Sequence, residues 1–318
     1  MKKSVSEASL SHSDLDVPPL VFLRGAAFGI SAITIWAGWM VFTRVGLKTE
    51  LSPYDIAALR FATAGLLLLP ILIKRGLALD RLGWSGFIIL VSGAGAPYAL
   101  IASSGLLFAP AGHAGALIPG TMPLFVAILS IIFLRERIDS RRRLGFFLIF
   151  CGILIIAGMG VILSTGNQWV GHFLFLTAAC MWAGFTISMK RAALSALHAT
   201  AIVAVISMFI YLPVYLIFIG LDGIEAASAS DSLFQAFYQG VLTSVVSLIL
   251  YSKGVTILGA SQGAAFASLV PVMATMLAIP FLGEIPTERD LIGIAAVTVG
   301  VYLATGARFR IRATIRAT

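Results

Sequence analysis

Apolar segments of similar length fill this chain, and short polar stretches separate them. Each apolar segment is close to the roughly 20 residues that an α-helix needs to cross a bilayer. Ten of them can be drawn, at 22–46, 54–73, 84–105, 112–134, 143–163, 171–189, 199–219, 236–254, 259–282 and 290–307. The pattern therefore predicts an all-α integral membrane protein with ten transmembrane helices.

The second half of the chain repeats features of the first. One constant shift along the sequence aligns Pro123 with Pro271, Leu134 with Leu282, Glu136 with Glu284, Gly145 with Gly293 and Gly152 with Gly300. Two unrelated apolar helices seldom align Pro, Glu and Gly together. Each half holds five predicted helices, and because five is an odd number, the second half must insert upside down relative to the first. We expect two inverted five-helix repeats, at 21–165 and 166–307.

Composition and charge agree with a membrane protein and predict its orientation. Hydrophobic residues make up 59% of the chain and charged residues only 11%, which is more apolar surface than a soluble core absorbs. Successive loops between the predicted spans lie alternately on the two sides of the membrane. Of the 22 Lys and Arg residues, all but Arg44, Lys48, Arg60 and Arg289 then fall on the same side. The positive-inside rule then predicts a cell inner membrane protein with both termini cytoplasmic, including a disordered tail at 1–20 and a basic tail at 308–318.

Several other classes of partner are not supported by the sequence. The net charge of +8 comes without a basic helix or an aromatic-flanked basic groove, so nucleic acid is not an expected partner. Cys151 and Cys180 both lie in predicted spans, and they indicate neither a disulfide nor a metal site. No phosphate-binding or dinucleotide-binding glycine motif occurs, so no cofactor is expected. The expected partners are the lipid bilayer and a small-molecule substrate.

The duplicated motifs resemble those of the drug/metabolite transporter superfamily, specifically its ten-helix exporters with two EamA-type domains. The features that match are Trp36-Ala37-Gly38-Trp39 and Trp182-Ala183-Gly184-Phe185, Leu59-Arg60-Phe61, and the helix ends Leu134-Arg135-Glu136 and Leu282-Gly283-Glu284. The resemblance covers nearly all of 22–307. It implies a central cavity lined by the first, third, fourth, sixth, eighth and ninth spans, in a monomer or a homodimer. It also implies the movement of small metabolites, often outward, by alternating access and without covalent chemistry.

Three charged residues are candidates for gating or for an ion pair. Arg60 lies about two turns inside its span, where a charge is costly, so it either reaches the headgroups or pairs with Asp55 or Glu50, or it holds an anionic substrate or a gate. Glu136 and Glu284 end the fourth and ninth spans, where the helix dipole disfavours a negative charge. We expect each to form a gate-closing or topology-fixing ion pair, with proton translocation as the alternative. Near Glu284, only Arg289 is within easy sequence reach.

Candidate substrate-binding residues are aromatic or polar side chains at helical spacing in the predicted cavity-lining spans. Trp36 and Trp182 lie deep in their spans, away from the interfacial belts where tryptophan is common. His113 lies among small residues, and because a histidine ring can exchange protons, it either faces the cavity, with proton coupling as one role, or is a structural histidine. Serines in such helices also bond to their own backbone. The candidate set is Trp36, Trp39, Tyr98, His113, Trp182, Ser244, Tyr251, Ser261 and Gln262.

One catalytic motif competes with the transport interpretation. Gly259-Ala260-Ser261-Gln262-Gly263 fits G-x-S-x-G, so an intramembrane serine hydrolase is a distant alternative. That motif requires a strand-to-helix elbow and an oxyanion hole, whereas glycines and alanines here open a membrane helix. The sequence therefore favours a transporter that is not an enzyme, an exporter of amino acids or similar amphipathic compounds. A carrier of sugars or nucleotide-linked metabolites is the nearer alternative.

Overall fold

The computed structural model of the protein describes residues 19–134, 139–158, 166–259 and 265–306. Over these residues the chain is helical, without strands. The helices are α1 (Pro19–Gly46), α2 (Pro53–Arg75), α3 (Leu79–Ala94), α4 (Ala96–Phe108), α5 (Ala111–Leu117), α6 (Met122–Leu134), α7 (Ser140–Ile153), α8 (Gln168–Arg191), α9 (Ala196–Phe218), α10 (Asp222–Ala226), α11 (Ala229–Gln235), α12 (Ser247–Leu258), α13 (Val270–Leu282) and α14 (Glu288–Ala304). Two π-helical segments extend this set, Leu154–Gly158 after α7 and Ala236–Val246 between α11 and α12.

Eight of the ten predicted spans are long and apolar enough, within the described residues, to cross a membrane. They are Leu20–Gly46, Pro53–Arg75, Leu79–Phe108, Ala111–Phe133, Gln168–Arg191, Ala196–Phe218, Ala229–Leu258 and Ala265–Leu282. The fifth and tenth predicted spans are also helices, α7 and α14, but they are shorter. At 1.5 Å per residue, the 17 residues of α14 extend about 26 Å, slightly less than the hydrocarbon thickness of about 30 Å.

Helices α7 and α14 pack against each other through glycines that the sequence repeat had aligned. A Cβ atom on Gly145 would lie 2.6 Å from the carbonyl oxygen of Gly300, and one on Gly152 would lie 2.8 Å from that of Gly293. Larger side chains at these positions would therefore force the two backbones apart. In the repeat, Gly145 corresponds to Gly293 and Gly152 corresponds to Gly300. The Gly145–Gly300 contact and the Gly152–Gly293 contact are therefore equivalent. The two helices run antiparallel, and the contact has the two-fold character expected of inverted repeats.

Broken helices interrupt the third, fourth and ninth spans. The third breaks at Gly95, where α4 begins with Pro97 in its first turn, and the freed N–H of Ala96 donates to Ser207 Oγ at 3.1 Å. The turns between α5 and α6 and just before α13 fall at repeat-equivalent places. Non-helical backbone at membrane depth is tolerated only inside the protein or beside a cavity, so these breaks indicate the interior of the bundle.

Large apolar side chains cover the outside of the bundle. Phe218, Ile217, Ile73 and Leu66 are each at least 65% exposed. A soluble protein rarely leaves so many such side chains in water, whereas the acyl chains of a bilayer cover them. The interior is instead built largely from small residues, among them Ala32, Ala37, Ala102, Ala178 and Ala274. This inside-out distribution of large and small residues is that of a helical membrane protein.

Candidate functional site

An aromatic cluster from α1, α4 and α8 lies around Arg60 of α2. The Trp39 and Tyr98 rings stack with centroids 6.2 Å apart, and the Tyr98 and Trp182 rings lie 5.1 Å apart. Phe185 extends the cluster, 5.2 Å from Trp182. Trp39 and Tyr98 are buried, while Trp182 is only half-buried. Trp39 and Tyr98 of the first half and Trp182 of the second half, all predicted to bind substrate, thus lie in one aromatic cluster.

A second aromatic contact joins α1 to α12. Trp36 and Tyr251 lie with ring centroids 5.0 Å apart, and the Trp36 indole N–H donates to Ser247 Oγ at 2.9 Å. Both rings are half-buried. Ser244, another predicted lining residue, donates its hydroxyl to the backbone carbonyl of Gln239 at 2.8 Å. Ser247, which shares a helix face with Ser244 and Tyr251 in the sequence pattern, accepts from the indole and donates to the Thr243 carbonyl of its own helix, whereas Ser244 bonds its own helix.

Arg60 has aromatic neighbours and no ion pair with any described residue. Its guanidinium carbon lies 5.8 Å from the centroid of the Trp39 ring and 5.6 Å from that of Phe61. These distances allow cation–π attraction. The Nε atom is buried and has no hydrogen-bond partner within the part of the chain that the structure describes. Arg60 therefore retains hydrogen-bonding capacity inside the bundle.

The expected structural pair between Arg60 and Asp55 is wrong. Asp55 Oδ2 accepts from the Ser52 N–H at 2.7 Å and from the Ser52 hydroxyl at 2.6 Å, as part of the capping box that starts α2. Its Oδ1 accepts from the Tyr215 hydroxyl at 2.5 Å. The cap and the tyrosine occupy both oxygens, and residues five apart on a helix do not face each other. Asp55 thus anchors α2 to α9 and leaves Arg60 without a carboxylate.

Glu284 is the centre of a polar network at one end of the bundle, which we call the Arg44 cluster (Arg44, Glu284 and the start of α5). Arg44 forms an ion pair with Glu284 and also donates to the carbonyl oxygens of Leu106, at 2.6 Å, and Ala109. The Ala111 N–H donates to Glu284 Oε2 at 2.8 Å. The expected partner, Arg289, is exposed instead. The cluster ties α1 to the α4–α5 connection and to the loop that follows α13.

His113 lies beside this network and not in the aromatic cluster. Its Nε2 is 2.9 Å from Asp290 Oδ1, and its Nδ1 is 3.0 Å from His172 Nε2. Both histidines are buried, at 6% and 2% exposure. The sequence analysis missed His172 and Asp290. The available signal was a second histidine inside a predicted span.

A groove of about 530 Å³ opens at the other end of the bundle, between α3, α6 and α8. The start of α8 packs near Ala109 and thus near the Arg44 cluster, so the end of α8 lies at the opposite end. Arg81, Ser188 and Arg191 line the groove. The two ends of the molecule therefore differ, one being closed by ionic contacts and the other grooved.

The remaining candidates fall outside what the structure describes. Glu136, Ser261 and Gln262 belong to the residues left out at 135–138 and 260–264, so the predicted ion pair of Glu136 and the G-x-S-x-G motif have no described geometry. Among the described residues, no group of three or more His, Cys, Asp or Glu side chains could hold a metal ion. Over the described residues, the site's chemistry consists of aromatic faces, the unpaired cation of Arg60 and hydroxyl groups.

Comparison with known proteins agrees with these features. The model of the EamA-like transporter family matches the chain twice, at 23–158 and at 169–306. A crystal structure 18% identical in sequence superposes with a TM-score of 0.59 and covers 91% of this chain and 98% of its own, which shows the same fold.

Three relatives are transporters by name. An uncharacterized transporter of Archaeoglobus fulgidus is 28% identical, over 85% of this chain and 93% of its own. The uncharacterized transporter YyaM of Bacillus subtilis is 30% identical, over 80% of this chain and 85% of its own. The uncharacterized inner membrane transporter YedA of Escherichia coli K12 is 24% identical, over 90% and 91%. The chain therefore belongs to the EamA-like transporter family of the drug/metabolite transporter superfamily, as a multi-pass membrane protein that transports small molecules.

Proposed function

We propose that the protein exports amino acids or similar amphipathic metabolites by alternating access. The observation that carries this proposal is Arg60, an arginine inside the bundle with aromatic rings around it and no carboxylate among its described neighbours. A cation in a transmembrane helix costs about 2.5–3.5 kcal/mol on insertion scales, and its presence is a sign of function. A substrate carboxylate would provide the missing partner.

The surroundings of Arg60 favour a small zwitterionic cargo. Trp182 is half-buried and offers a flat apolar face to a substrate side chain, with Tyr98 packed against it and Trp39 stacked on Tyr98. A phosphorylated cargo would call for at least two inward cations, because phosphate carries more charge and accepts more hydrogen bonds. Arg60 is one cation. An amino-acid carboxylate carries one opposite charge, and its two oxygens fit the forked N–H donors of the guanidinium group.

Alternating access is supported by the difference between the two ends of the bundle. The Arg44 cluster ties three parts of the chain together at one end, while a groove lies between α3, α6 and α8 at the other. By the positive-inside rule, the closed end faces outward and the grooved end faces the cytoplasm. This arrangement suits loading from the cytoplasm. Rocking of the repeats at 21–165 and 166–307 against each other would then open the outer end.

Transport itself is tested with the purified protein in sealed liposomes that contain radiolabelled amino acids. We expect label to leave chemically unchanged, at a rate well above that of protein-free liposomes. Ser261→Ala should keep most of this activity, because no covalent step is involved. Label that emerges only as a cleaved product, and only with Ser261 present, would support the hydrolase. Movement of sugars or nucleotide-linked compounds without amino acids would support the other carrier class.

Orientation is tested with single cysteines in a variant that lacks Cys151 and Cys180. Cysteines at the exposed positions Asn167 and Ser230 should react with an impermeant thiol reagent added to intact cells, while one at Ser140 should not. Labelling at Ser140 alone would reverse the assignment of the two ends and turn the proposed exporter into a carrier loaded from outside.

A further inference from the structure

We infer that His113, His172 and Asp290 form a proton-binding site which, when it holds one extra proton, keeps the Arg44 end of the carrier closed. The inference rests on the alternating access proposed above. It concerns three residues on three different helices, α5, α8 and α14, that meet at that end. None of them belongs to the aromatic cluster.

The hydrogen-bond geometry is compatible with the site both with and without the extra proton. An ionised carboxylate only accepts, so His113 Nε2–H donates to Asp290 Oδ1 in both cases. Without the extra proton, His172 Nε2–H donates to the bare Nδ1 of His113. With it, His113 is an imidazolium whose Nδ1–H donates to the bare Nε2 of His172. Either way, all three groups stay bonded to one another.

The path of the extra proton follows from the one ring nitrogen of the two histidines that makes no hydrogen bond in the described structure. His172 Nδ1 is buried and has no hydrogen-bond partner in the described structure. A proton that arrives there protonates His172, and the proton on His172 Nε2 then moves to His113 Nδ1. The net change is one proton gained, with His172 left neutral in its other tautomer. The two rings form a short relay that ends at the carboxylate.

Charge decides which state the proton stabilises. Without the extra proton the site carries the single negative charge of Asp290, held among buried groups. With it, the carboxylate faces an imidazolium and the net charge of the site is zero, which is the less costly arrangement away from water. In an open state the same groups would be hydrated and this difference would shrink. Proton binding therefore favours the closed state.

Other charged groups near His113 leave this balance unchanged. The elements packed against α5 are α1, α4, α8, α13 and α14. Helix α1 brings Arg44, and the loop after α13 brings Glu284, but these two neutralise each other. Helix α4 carries no charged residue, and the start of α14 adds the exposed opposite pair Glu288 and Arg289. Asp290 is thus the one uncompensated charge that faces the histidines among the described residues.

The site is coupled mechanically to the ion pair at the same end. The Ala111 N–H, two residues before His113, donates to Glu284 Oε2 at 2.8 Å. Asp290 caps α14 through Thr287, whose N–H and hydroxyl lie 2.9 and 2.8 Å from Asp290 Oδ2. Separating α5 from the α13–α14 loop and the start of α14 would break the Ala111–Glu284 and His113–Asp290 contacts together. Opening this end therefore requires loss of the His113–Asp290 contact.

The test measures closure directly and needs no substrate. Spin labels are placed on cysteines at the exposed positions Glu50 and Glu288, on the two sides of the closed end, in protein without Cys151 and Cys180 and held in lipid nanodiscs. Distance distributions are recorded at about pH 5 and about pH 8.5, on either side of the ordinary histidine pKa of about 6.5. We expect the ratio of short to long distances to rise at least about threefold at the lower pH.

Three variants decide whether the histidine relay causes this response. His113→Gln and His172→Gln should each remove it. Asp290→Asn should keep the end closed at the higher pH as well, because the site without the extra proton then carries no net charge. A purely structural contact would not give that result. His198→Gln is the matched control, since His198 is also buried but bonds the Gly76 carbonyl at 2.8 Å on another helix pair.

The outcomes separate this inference from the proposed function. A parent protein whose distances do not change with pH overturns the inference, as does a response that persists in either histidine variant when that variant is folded. Failure of amino-acid transport with an intact pH response overturns only the proposed amino-acid cargo and leaves the proton-binding site in place. Gel filtration of each variant identifies misfolded protein, and either histidine variant alone is sufficient for the decision.

Discussion

Arg44 and Arg60 are two arginines inside the same bundle with opposite surroundings. Arg44 has a carboxylate and two backbone carbonyls, so its charge and several of its donors are satisfied. Arg60 has two aromatic faces and a buried Nε atom without a described partner. The first arrangement holds parts of the protein together. The second leaves the protein ready to hold something that it does not itself supply.

This difference explains why the two regions should respond differently to mutation. Removing one side of a satisfied ion pair leaves the other charge stranded and changes the equilibrium between open and closed states. Removing an unpaired cation leaves no stranded partner in the protein, so folding should be spared and ligand binding lost. The comparison therefore predicts a conformational phenotype around Arg44 and a binding phenotype around Arg60.

The largest effect is expected for Arg60→Ala. Loss of a charge-assisted contact with a carboxylate costs about 1.5–3 kcal/mol, which corresponds to a fall of roughly 10- to 150-fold in kcat/KM for amino-acid efflux. Arg75→Ala, at the exposed end of the same helix, is the control and should transport normally. Equal effects of both changes would remove the functional distinction of Arg60.

Next in size are Trp36→Ala and Trp182→Ala, which remove aromatic walls near the proposed substrate. Each should reduce transport about tenfold, because a lost aromatic contact is worth roughly 1–1.5 kcal/mol. Trp84 is 72% exposed and gives the control, since Trp84→Ala removes an aromatic ring from the outer surface. Normal kinetics in both cavity variants would assign Trp36 and Trp182 to packing alone.

Glu284→Gln tests the other side of the comparison. The pair with Arg44 is only partly buried, with side chains 22% and 18% exposed, so its loss should cost about 1 kcal/mol and reduce the closed population about fivefold. The spin-label pair described above measures this change. Glu225→Gln removes an exposed carboxylate on α10 and should have no effect. A closed population unchanged by Glu284→Gln would contradict a gating role.

The smallest effect separates two serines on one stretch of helix. Ser247→Ala removes the acceptor of the Trp36 indole N–H and should weaken transport about threefold, as expected for one neutral hydrogen bond. Ser244→Ala removes a bond to the helix's own backbone and should leave transport nearly unchanged. A larger effect at Ser244 than at Ser247 would mean that the substrate lies closer to Ser244 and that the Trp36–Ser247 hydrogen bond contributes little to transport.

The sequence was sufficient for the membrane class and the repeat, and it selected aromatic residues that the structure brings into contact. Apolar length predicts membrane helices because the bilayer thickness is fixed, and eight of the ten predicted spans meet that length within the described residues. The alignment of Gly145 and Gly152 with their counterparts predicted a repeat, and those glycines meet at the interface of α7 and α14. Trp36 and Trp182 were selected because tryptophan deep in a span is unusual. All three predictions depend on local or periodic properties of the chain.

Partners across the bundle were decided only by the tertiary structure. The sequence analysis looked for the partner of Glu284 among nearby residues and considered Arg289, whereas the inverted packing of the two halves brings Arg44 to it. In the same way, His172 reaches His113 from another helix, and Asp55 is used by Tyr215 instead of Arg60. Helical spacing determines which face a side chain lies on. Which distant helix that face meets depends on how the packed helices are arranged, and that arrangement is a property of the whole fold.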